Sequence, residues 1–279
     1  MMDLFKAAVL GIIQGATEFL PVSSSGHLIL MRGVLGWDLL TDQHLNKMFD
    51  VALHAGTFVS LLIYFRTDIV RLFRAFTASL VHGVGGDADR RLGWVMVVGT
   101  VPAAVAGVVG QEVIETKLGE PVLVAGLLIV FGIVLWLADW RGAGLRDVRN
   151  VSWWDGVVVG VAQAMALAPG VSRSGITITA GLALGMTRET AARFSFLLSI
   201  PIVGGAATYG FLDVVKRSQA LPLESVLIFA VGMVAAALSG YVCIRFFLRY
   251  LQTRRLLPFI VYRLALGIGL LSWLALAAR

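Results

Sequence analysis

Cysteine and charged residues are scarce in this sequence. Cys243 is the single cysteine among 279 residues, so the chain can form neither an intramolecular disulfide nor a site built from several thiolates. Charged residues make up 14% of the chain, hydrophobic residues make up 58%, and the mean hydropathy is +0.86. A typical water-soluble domain is about 25% charged. The composition therefore predicts an integral membrane protein.

The positive charge of the chain is distributed as in the loops of membrane proteins. The formal net charge is +6, but the basic residues form short clusters between apolar runs, which argues against a nucleic-acid partner. Segments 66–92, 139–154 and 245–257 together contain twelve arginines, whereas segments 111–120 and 213–224 contain three basic residues. The positive-inside tendency predicts that the arginine-rich segments face the cytoplasm.

Six apolar segments are long enough to cross a bilayer, which takes about 20 residues with some tolerance. They cover residues 48–65, 93–110, 121–138, 195–212, 225–244 and 258–276. Two further apolar regions, 3–36 and 155–185, are interrupted by polar loops, and the arm after each loop is short. An eleven-residue helix rises only about 16 Å, half the hydrocarbon thickness. Each region is therefore predicted to be a re-entrant helical hairpin that enters and leaves by the same face.

The two polar loops are copies of one another. A shift of 149 positions (160 minus 11) places the first loop on the second without a gap, matching Gly11, Gln14, Val22, Ser23, Ser25 and Gly26 to Gly160, Gln163, Val171, Ser172, Ser174 and Gly175. Similar shifts place Gly99 on Gly232 and Pro121 on Pro258. The duplication predicts one membrane domain over residues 1–279, made of repeat 1 (3–138) and repeat 2 (152–276).

The duplication also predicts the fold. Each repeat contains one hairpin and three crossing helices, and an odd number of crossings inverts the second copy relative to the first. We therefore predict an all-α integral membrane fold with an inverted-topology repeat, six transmembrane helices and two re-entrant helical hairpins. The two polar loops then meet at mid-membrane.

The loops have the chemistry of an anion site. A polar loop at mid-depth is tolerated only where protein covers it or where it lines a wet cavity. Each loop leads into the start of a helix, where free backbone N–H groups and the helix dipole favour an anion. Arg173 adds a planar positive group that suits phosphate oxygens. Ser24 holds the position equivalent to Arg173, so the predicted two-fold arrangement brings a hydroxyl opposite a phosphate clamp.

Glu18 and His27 have no acid–base counterparts in the second copy, where Leu167 and Ile176 stand at the equivalent positions. Glu18 is a candidate general base for Ser24 or for a water, and Gln14 lies one turn before it on the same helix face. His27 is a candidate general acid or nucleophile, and His54 is the other histidine best placed to reach the site. The alternative interpretations are a structural ion pair between Glu18 and Arg173 and simple helix capping by the serines.

These segments resemble the undecaprenyl-diphosphate phosphatase family, the bacitracin-resistance proteins of bacterial envelopes. Gln14 with Glu18 matches that family's (Glu/Gln)xxxGlu motif, residues 18–27 match its EFLPVSSSGH run, and residues 169–177 match PGxSRSxxT. The similarity runs through essentially the whole chain. It implies removal of the terminal phosphate of undecaprenyl diphosphate in the bacterial inner membrane, which recycles the lipid carrier of peptidoglycan synthesis and confers bacitracin resistance.

The resemblance also implies residue roles. Glu18, Ser24 and His27 are implied as catalytic, and Arg173, Ser172 and Thr177 as phosphate-binding. Three further polar residues of the same segments, Gln14, Ser23 and Ser174, are added as candidate phosphate contacts. The family's activity implies a divalent cation, Mg²⁺ or Ca²⁺, with Glu18 as a candidate ligand. Gln14 stands where many members have glutamate, which removes one anionic ligand.

Several alternatives stay open at the level of sequence. The nucleophile is Ser24, His27 or a water, and the chain is compatible with a homo-oligomer. With the arginine-rich segments in the cytoplasm, the first hairpin and the site open on the outer, periplasmic face. The rival function is a flippase for polyprenyl phosphate, because inverted repeats with broken helices are also a transporter architecture. Glu18 favours the enzyme, since a carrier of anions gains little from a carboxylate beside its cargo.

Overall fold

The computed structural model describes residues 1–37, 43–142, 144–217 and 223–277. Within these ranges the chain forms eleven α-helices and one 3₁₀ turn at Val148–Asn150. The helices are α1 (Met2–Phe19), α2 (Ser24–Leu35), α3 (Gln43–Tyr64), α4 (Arg66–His82), α5 (Ala88–Lys117), α6 (Pro121–Trp140), α7 (Trp153–Met165), α8 (Arg173–Ala183), α9 (Arg188–Arg217), α10 (Leu223–Leu251) and α11 (Leu257–Ala277). The predicted loop 213–224 lies partly outside the described residues.

The six predicted crossings are confirmed as six helices long and apolar enough to span a membrane. Their spans are Leu45–Tyr64, Ala88–Gly110, Pro121–Trp140, Arg188–Thr208, Leu223–Leu251 and Leu257–Ala277. Large apolar side chains on these helices point outward; Val109 is 81% exposed and Leu238 is 67% exposed. Such a surface is stable against lipid and unfavourable against water.

The prediction of a loop over residues 66–92 is wrong. This segment contains α4, a 17-residue helix, and the first turn of α5. The helix is amphipathic: arginines occupy its polar side, whereas Leu72 is buried and Phe76 packs on Trp94 of α5. The sequence gives no continuous apolar run here, because the apolar residues of α4 lie on one face and alternate along the chain with arginines.

The two predicted hairpin regions fold as short helix pairs, α1–α2 and α7–α8. Helix α2 has 12 residues and α8 has 11, so they rise only about 18 Å and about 16 Å. Both begin after a serine with φ of 70°, Ser23 and Ser172, and in each case the serine Oγ caps the helix by accepting from the backbone N–H three residues on. The left-handed region is costly for a residue with a Cβ atom. The same uncommon turn therefore occurs in both copies of the loop.

The short helices are held by close backbone contacts with long helices of the other half of the chain. Helix α1 packs along α10, where Gly11 meets the carbonyl group of Gly232, and α7 packs along α5, where Gly160 meets the carbonyl group of Gly99. A Cβ atom on Gly11 would lie 2.4 Å from the Gly232 carbonyl oxygen, and a Cβ atom on Gly160 would lie 2.6 Å from the Gly99 carbonyl oxygen. Glycine permits this approach as it does in other membrane helix pairs.

Replacing Gly160 with alanine is expected to destabilise the protein by about 1–3 kcal/mol, because the backbone of α5 must move to admit the methyl group. The measurement is the thermal unfolding midpoint in detergent. Gly126→Ala is the matched control: the described part of the chain places no atom within 4 Å of a Cβ at this helical position. Its midpoint should stay unchanged or rise, since alanine favours the helix. Equal midpoints for the two variants would contradict the packing.

Aromatic rings fill the centre of the core where α1, α3, α9 and α10 meet. Phe19 packs edge-on against Phe196 with ring centroids 5.4 Å apart. Phe65 and Phe247 also pack against the Phe196 ring. All four side chains are no more than 1% exposed. Phe19 directly follows Glu18, so this cluster fixes the end of α1 and with it the carboxylate.

Candidate active site

The two polar loops meet at a cavity of about 420 Å³. Its walls come from the end of α1, both loops, α3 and α9. The lining residues with polar or charged side chains are Thr17, Glu18, Ser23, Ser24, Ser25, Asp50, His54, Ser172 and Arg173. The remaining lining residues are apolar, including Ile202, Val203 and Ala206 of α9. The cavity therefore has a polar part formed by both halves of the chain and an apolar part beside it.

Glu18 is at the centre of the polar part. Its Oε1 accepts from Arg173 Nη2 at 2.8 Å, and its Oε2 accepts from Ser24 Oγ at 2.6 Å and from Gln14 Nε2 at 3.0 Å. Glu18 is 8% exposed and the side chain of Arg173 is 16% exposed. Every partner donates a hydrogen bond, so the surroundings stabilise the charged carboxylate. The Glu18 carboxylate thus links Ser24 of the first loop to Arg173 of the second loop, as expected if the two loops lie together.

Ser24 has the arrangement of an activated hydroxyl. It is the first residue of α2, it lines the cavity, and its hydroxyl donates directly to the Glu18 carboxylate. A serine whose proton already points at a base can lose that proton as the oxygen attacks. Ser25, its neighbour, instead hydrogen-bonds to Ser23 Oγ at 3.2 Å. In the described part of the chain, Ser24 therefore carries the one hydroxyl of the first loop that donates a hydrogen bond to Glu18.

The predicted phosphate contacts separate into two groups. Arg173, Ser172 and Ser23 line the cavity. Ser174 and Thr177 do not: Ser174 Oγ donates to the Leu20 carbonyl oxygen at 2.9 Å, and Thr177 Oγ1 lies 2.6 Å from both the Arg173 carbonyl oxygen and Ser195 Oγ. Gln14 is fully buried behind Glu18. These three side chains hold the loops and α1 together instead of facing the cavity.

His27 lies beside the cavity and both of its ring nitrogens have partners. Nδ1 lies 2.7 Å from the Ser23 carbonyl oxygen, and Nε2 lies 2.7 Å from Tyr262 Oη of α11. A carbonyl oxygen can only accept, so Nδ1 carries a proton, and in the neutral ring Nε2 then accepts from the Tyr262 hydroxyl. The ring is 7% exposed and does not line the cavity.

His54 reaches the site, as the sequence suggested. Its Nε2 lies 3.8 Å from Glu18 Oε2, its Nδ1 lies 2.8 Å from the Asp50 carbonyl oxygen, and its side chain is 41% exposed. The Asp50 carboxylate also lines the cavity and accepts two hydrogen bonds from Arg32. Nothing in the sequence pattern singled out Asp50, because a polar residue at one face of an apolar helix looks the same whether it lines a cavity or a protein interface.

The donor set does not fit a divalent cation held by the protein alone. Among the described residues, no three acidic, histidine or cysteine side chains come together. Glu18 is neutralised by Arg173, and Asp50 is neutralised by Arg32. Mg²⁺ is commonly bound by one or two carboxylates together with substrate phosphates. A cation at this site would therefore depend on the oxygens of its ligand.

Comparison with known proteins places these residues in a family context. The family model described as "Bacitracin resistance protein BacA" matches residues 7–269. The protein named undecaprenyl-diphosphatase 1 of Pseudoalteromonas translucida (strain TAC 125) is 42% identical over 275 residues, which cover 99% of this chain and 100% of that protein.

Two further relatives are similar to the same extent. Undecaprenyl-diphosphatase of Teredinibacter turnerae (strain ATCC 39867 / T7901) is 45% identical over 267 residues, covering 96% of this chain and 98% of the relative. Undecaprenyl-diphosphatase 2 of Stutzerimonas stutzeri (strain A1501) is 46% identical over 275 residues, covering 97% and 98%. The cavity and both loops lie inside every one of these matches.

Proposed function

The chain belongs to the bacitracin resistance protein BacA family, and from this premise we propose that it is an undecaprenyl-diphosphatase, a membrane hydrolase. It removes the terminal phosphate of undecaprenyl diphosphate and leaves undecaprenyl phosphate, the lipid carrier of cell-wall synthesis. The observation that carries the proposal is the assembly of Ser24, Glu18 and Arg173 around one cavity. A nucleophile, a base and a phosphate clamp are the three parts that phosphoryl transfer needs.

The terminal phosphate binds at Arg173 and the start of α8. The guanidinium group has five N–H donors, so it can hold phosphate oxygens while one Nη2–H stays on Glu18. Ser172 and Ser23 supply hydroxyls at the two loops. A bound diphosphate offsets the positive charge that Arg173 exerts on Glu18. Glu18 is therefore a stronger base when substrate is present than when the cavity is empty.

Ser24 is proposed as the nucleophile. Its Oγ attacks the terminal phosphorus, its proton passes to Glu18 Oε2, and the bond to the bridging oxygen breaks, releasing undecaprenyl phosphate. A water then attacks the phosphoserine, Glu18 mediates the proton transfers, and inorganic phosphate leaves with Ser24 restored. Arg173 stabilises the charge that develops on the equatorial oxygens in both steps. His27, with both nitrogens occupied, orients the first loop.

We propose further that the two helix pairs are re-entrant hairpins of an inverted repeat. Support comes from the equivalent contacts of Gly11 with Gly232 and Gly160 with Gly99, which pair each short helix with a long helix of the other repeat. The recurrence of the left-handed serine in both loops supports the same arrangement. With the arginine-rich segments in the cytoplasm, the cavity opens towards the outer face of the inner membrane.

Purified protein in detergent is expected to release inorganic phosphate from undecaprenyl diphosphate with multiple turnovers. A pure flippase would release none, because a micelle has no two sides to exchange between. Phosphate release should fall on addition of a chelator if a cation bound to the diphosphate assists, and recover with Mg²⁺ or Ca²⁺. The unfolding midpoint, measured in parallel with and without chelator, should not move, because no protein-held metal site is needed for the fold. Absence of phosphate release under all conditions would overturn the proposed function.

A further inference from the structure

Two consecutive residues of α11, Tyr262 and Arg263, reach the two loops of the site from behind. Successive residues on a helix point about 100° apart, so neighbours can contact different elements. Tyr262 contacts His27 of α2, and Arg263 contacts the second loop just before Ser172. Neither residue lines the cavity.

Arg263 is the largest fully buried side chain of the described residues, at 0% exposure. Its Nε donates to the Leu128 carbonyl oxygen at 2.9 Å, and its Nη2 donates at 2.6 Å to both the Gly170 and Val171 carbonyl oxygens. Within the described part of the chain no carboxylate pairs with it, and Nη1 has no hydrogen-bond partner. A buried cation without a counter-ion is costly, so a fold retains it only where something else depends on it.

What depends on Arg263 is the second loop. The residues that it holds, Gly170 and Val171, directly precede Ser172 and Arg173, and its Nε ties them to α6. The absence of a side chain at Gly175 makes room for it: a Cβ atom there would lie 2.8 Å from Arg263 Nη1. Gly175 and Arg263 therefore pack closely against each other, and together they fix the position of Arg173 at the start of α8.

Tyr262 does the same for the first loop. Its hydroxyl lies 2.7 Å from His27 Nε2, and the two rings stack with centroids 5.6 Å apart and planes 10° apart. His27 in turn holds the Ser23 carbonyl group through Nδ1. This chain of two hydrogen bonds ends on the residue before Ser24.

The pair is present in one half of the chain only. The shift that places Pro121 on Pro258 (258 minus 121 is 137) places positions 125 and 126 on 262 and 263, and those positions are Ala125 and Gly126. The shared scaffold therefore does not require a tyrosine and an arginine here. The difference parallels that between the loops themselves, of which one carries the carboxylate and the other carries the guanidinium.

We propose that Tyr262 and Arg263 are positioning residues for the phosphatase reaction, which fix the two loops on one rigid helix at the separation that Ser24 and Arg173 need. The inference rests on the proposed function. Arg263 acts through the phosphate clamp, and Tyr262 acts through the loop of the nucleophile. Their loss therefore affects different kinetic constants.

The test compares Arg263→Lys and Tyr262→Phe with wild type on undecaprenyl diphosphate in detergent. A net loss of one hydrogen bond of this kind changes a binding or rate constant by a factor of about ten. Arg263→Lys should raise KM about tenfold and weaken competitive inhibition by inorganic phosphate by a similar factor, with kcat changed less. Tyr262→Phe keeps the ring stack and should lower kcat about tenfold with KM unchanged. Gly175→Ala, which crowds Arg263 from the other side, should raise KM as Arg263→Lys does.

The controls are an ion-paired, largely buried arginine and a tyrosine, both outside the site. Arg188 is paired with Asp139 at the junction of α9 and α6, and Tyr250 packs on Phe246 and Phe259. Arg188→Lys and Tyr250→Phe should do no more than lower the unfolding midpoint, and KM and kcat should stay within twofold of wild type. If Arg263→Lys or Tyr262→Phe leaves both constants within twofold, or changes them as its control does, the inference is wrong. The turnover of wild type tests the proposed function separately.

Discussion

Ser24→Ala is expected to lower kcat by about a thousandfold or more, because the variant lacks the only hydroxyl that donates to Glu18 among the described residues. KM should change little, since Arg173 still holds the phosphate. The measurement is steady-state phosphate release from undecaprenyl diphosphate by purified protein. Rapid quenching of wild type with substrate labelled in the terminal phosphate should recover the label on Ser24.

Ser25→Ala is the matched control for this variant. Ser25 is the next residue, lies in the same turn and also lines the cavity, but its Oγ contacts Ser23 and not Glu18. Its activity should stay within tenfold of wild type. Full activity of Ser24→Ala, or label recovered on His27, would rule out the serine as nucleophile. Loss of activity in Ser24→Ala without any labelled protein would favour direct attack by water.

Arg173→Ala should abolish measurable turnover, with a loss of about three to five orders of magnitude in kcat/KM. The variant loses the phosphate clamp and leaves the Glu18 carboxylate buried without its counter-ion. Arg173→Lys should recover part of the activity, because a single ammonium group replaces the charge but not the fork geometry. Phosphate release and the affinity for inorganic phosphate measure the two effects.

The double variant Arg173→Ala with Glu18→Gln distinguishes catalysis from structure. If Arg173 and Glu18 form only a structural ion pair, removing both charges together restores stability and also activity. In the proposed mechanism the double variant regains part of its unfolding midpoint and stays inactive. Activity in the double variant above that of Arg173→Ala would contradict the roles given to both residues.

The sequence predicted those parts of the site that lie in the duplicated loops or close to them along the chain. The duplicated loop and the unmatched Glu18 and Arg173 were sufficient to predict that Ser24 and Arg173 lie on one cavity. Apolar composition and length were sufficient to predict the six helices that are long and apolar enough to span a membrane. Helix α4 was missed, because arginines on one face lower the mean hydropathy of a segment that is still half apolar.

The remaining parts of the site depend on distant contacts that no local pattern encodes. Ser174 and Thr177 belong to the same motif as Arg173, yet their hydroxyls bond to Leu20 and Ser195 instead of lining the cavity. Which face of a short helix turns inward is decided by its tertiary neighbours. Arg263 lies 90 residues beyond Arg173 (263 minus 173), and its only sequence signal was a charge inside an apolar span.

The pairing of Arg173 with Glu18 bears on how the enzyme discriminates between what enters and what must leave. An empty cavity whose cation is already neutralised exerts little pull on stray anions. A newcomer must share the guanidinium with the carboxylate, and a diphosphate offers more negative oxygens for this than either reaction product does. The competition for one arginine would thus weaken the hold on inorganic phosphate and on the lipid monophosphate once the anhydride is broken, which favours their departure over rebinding.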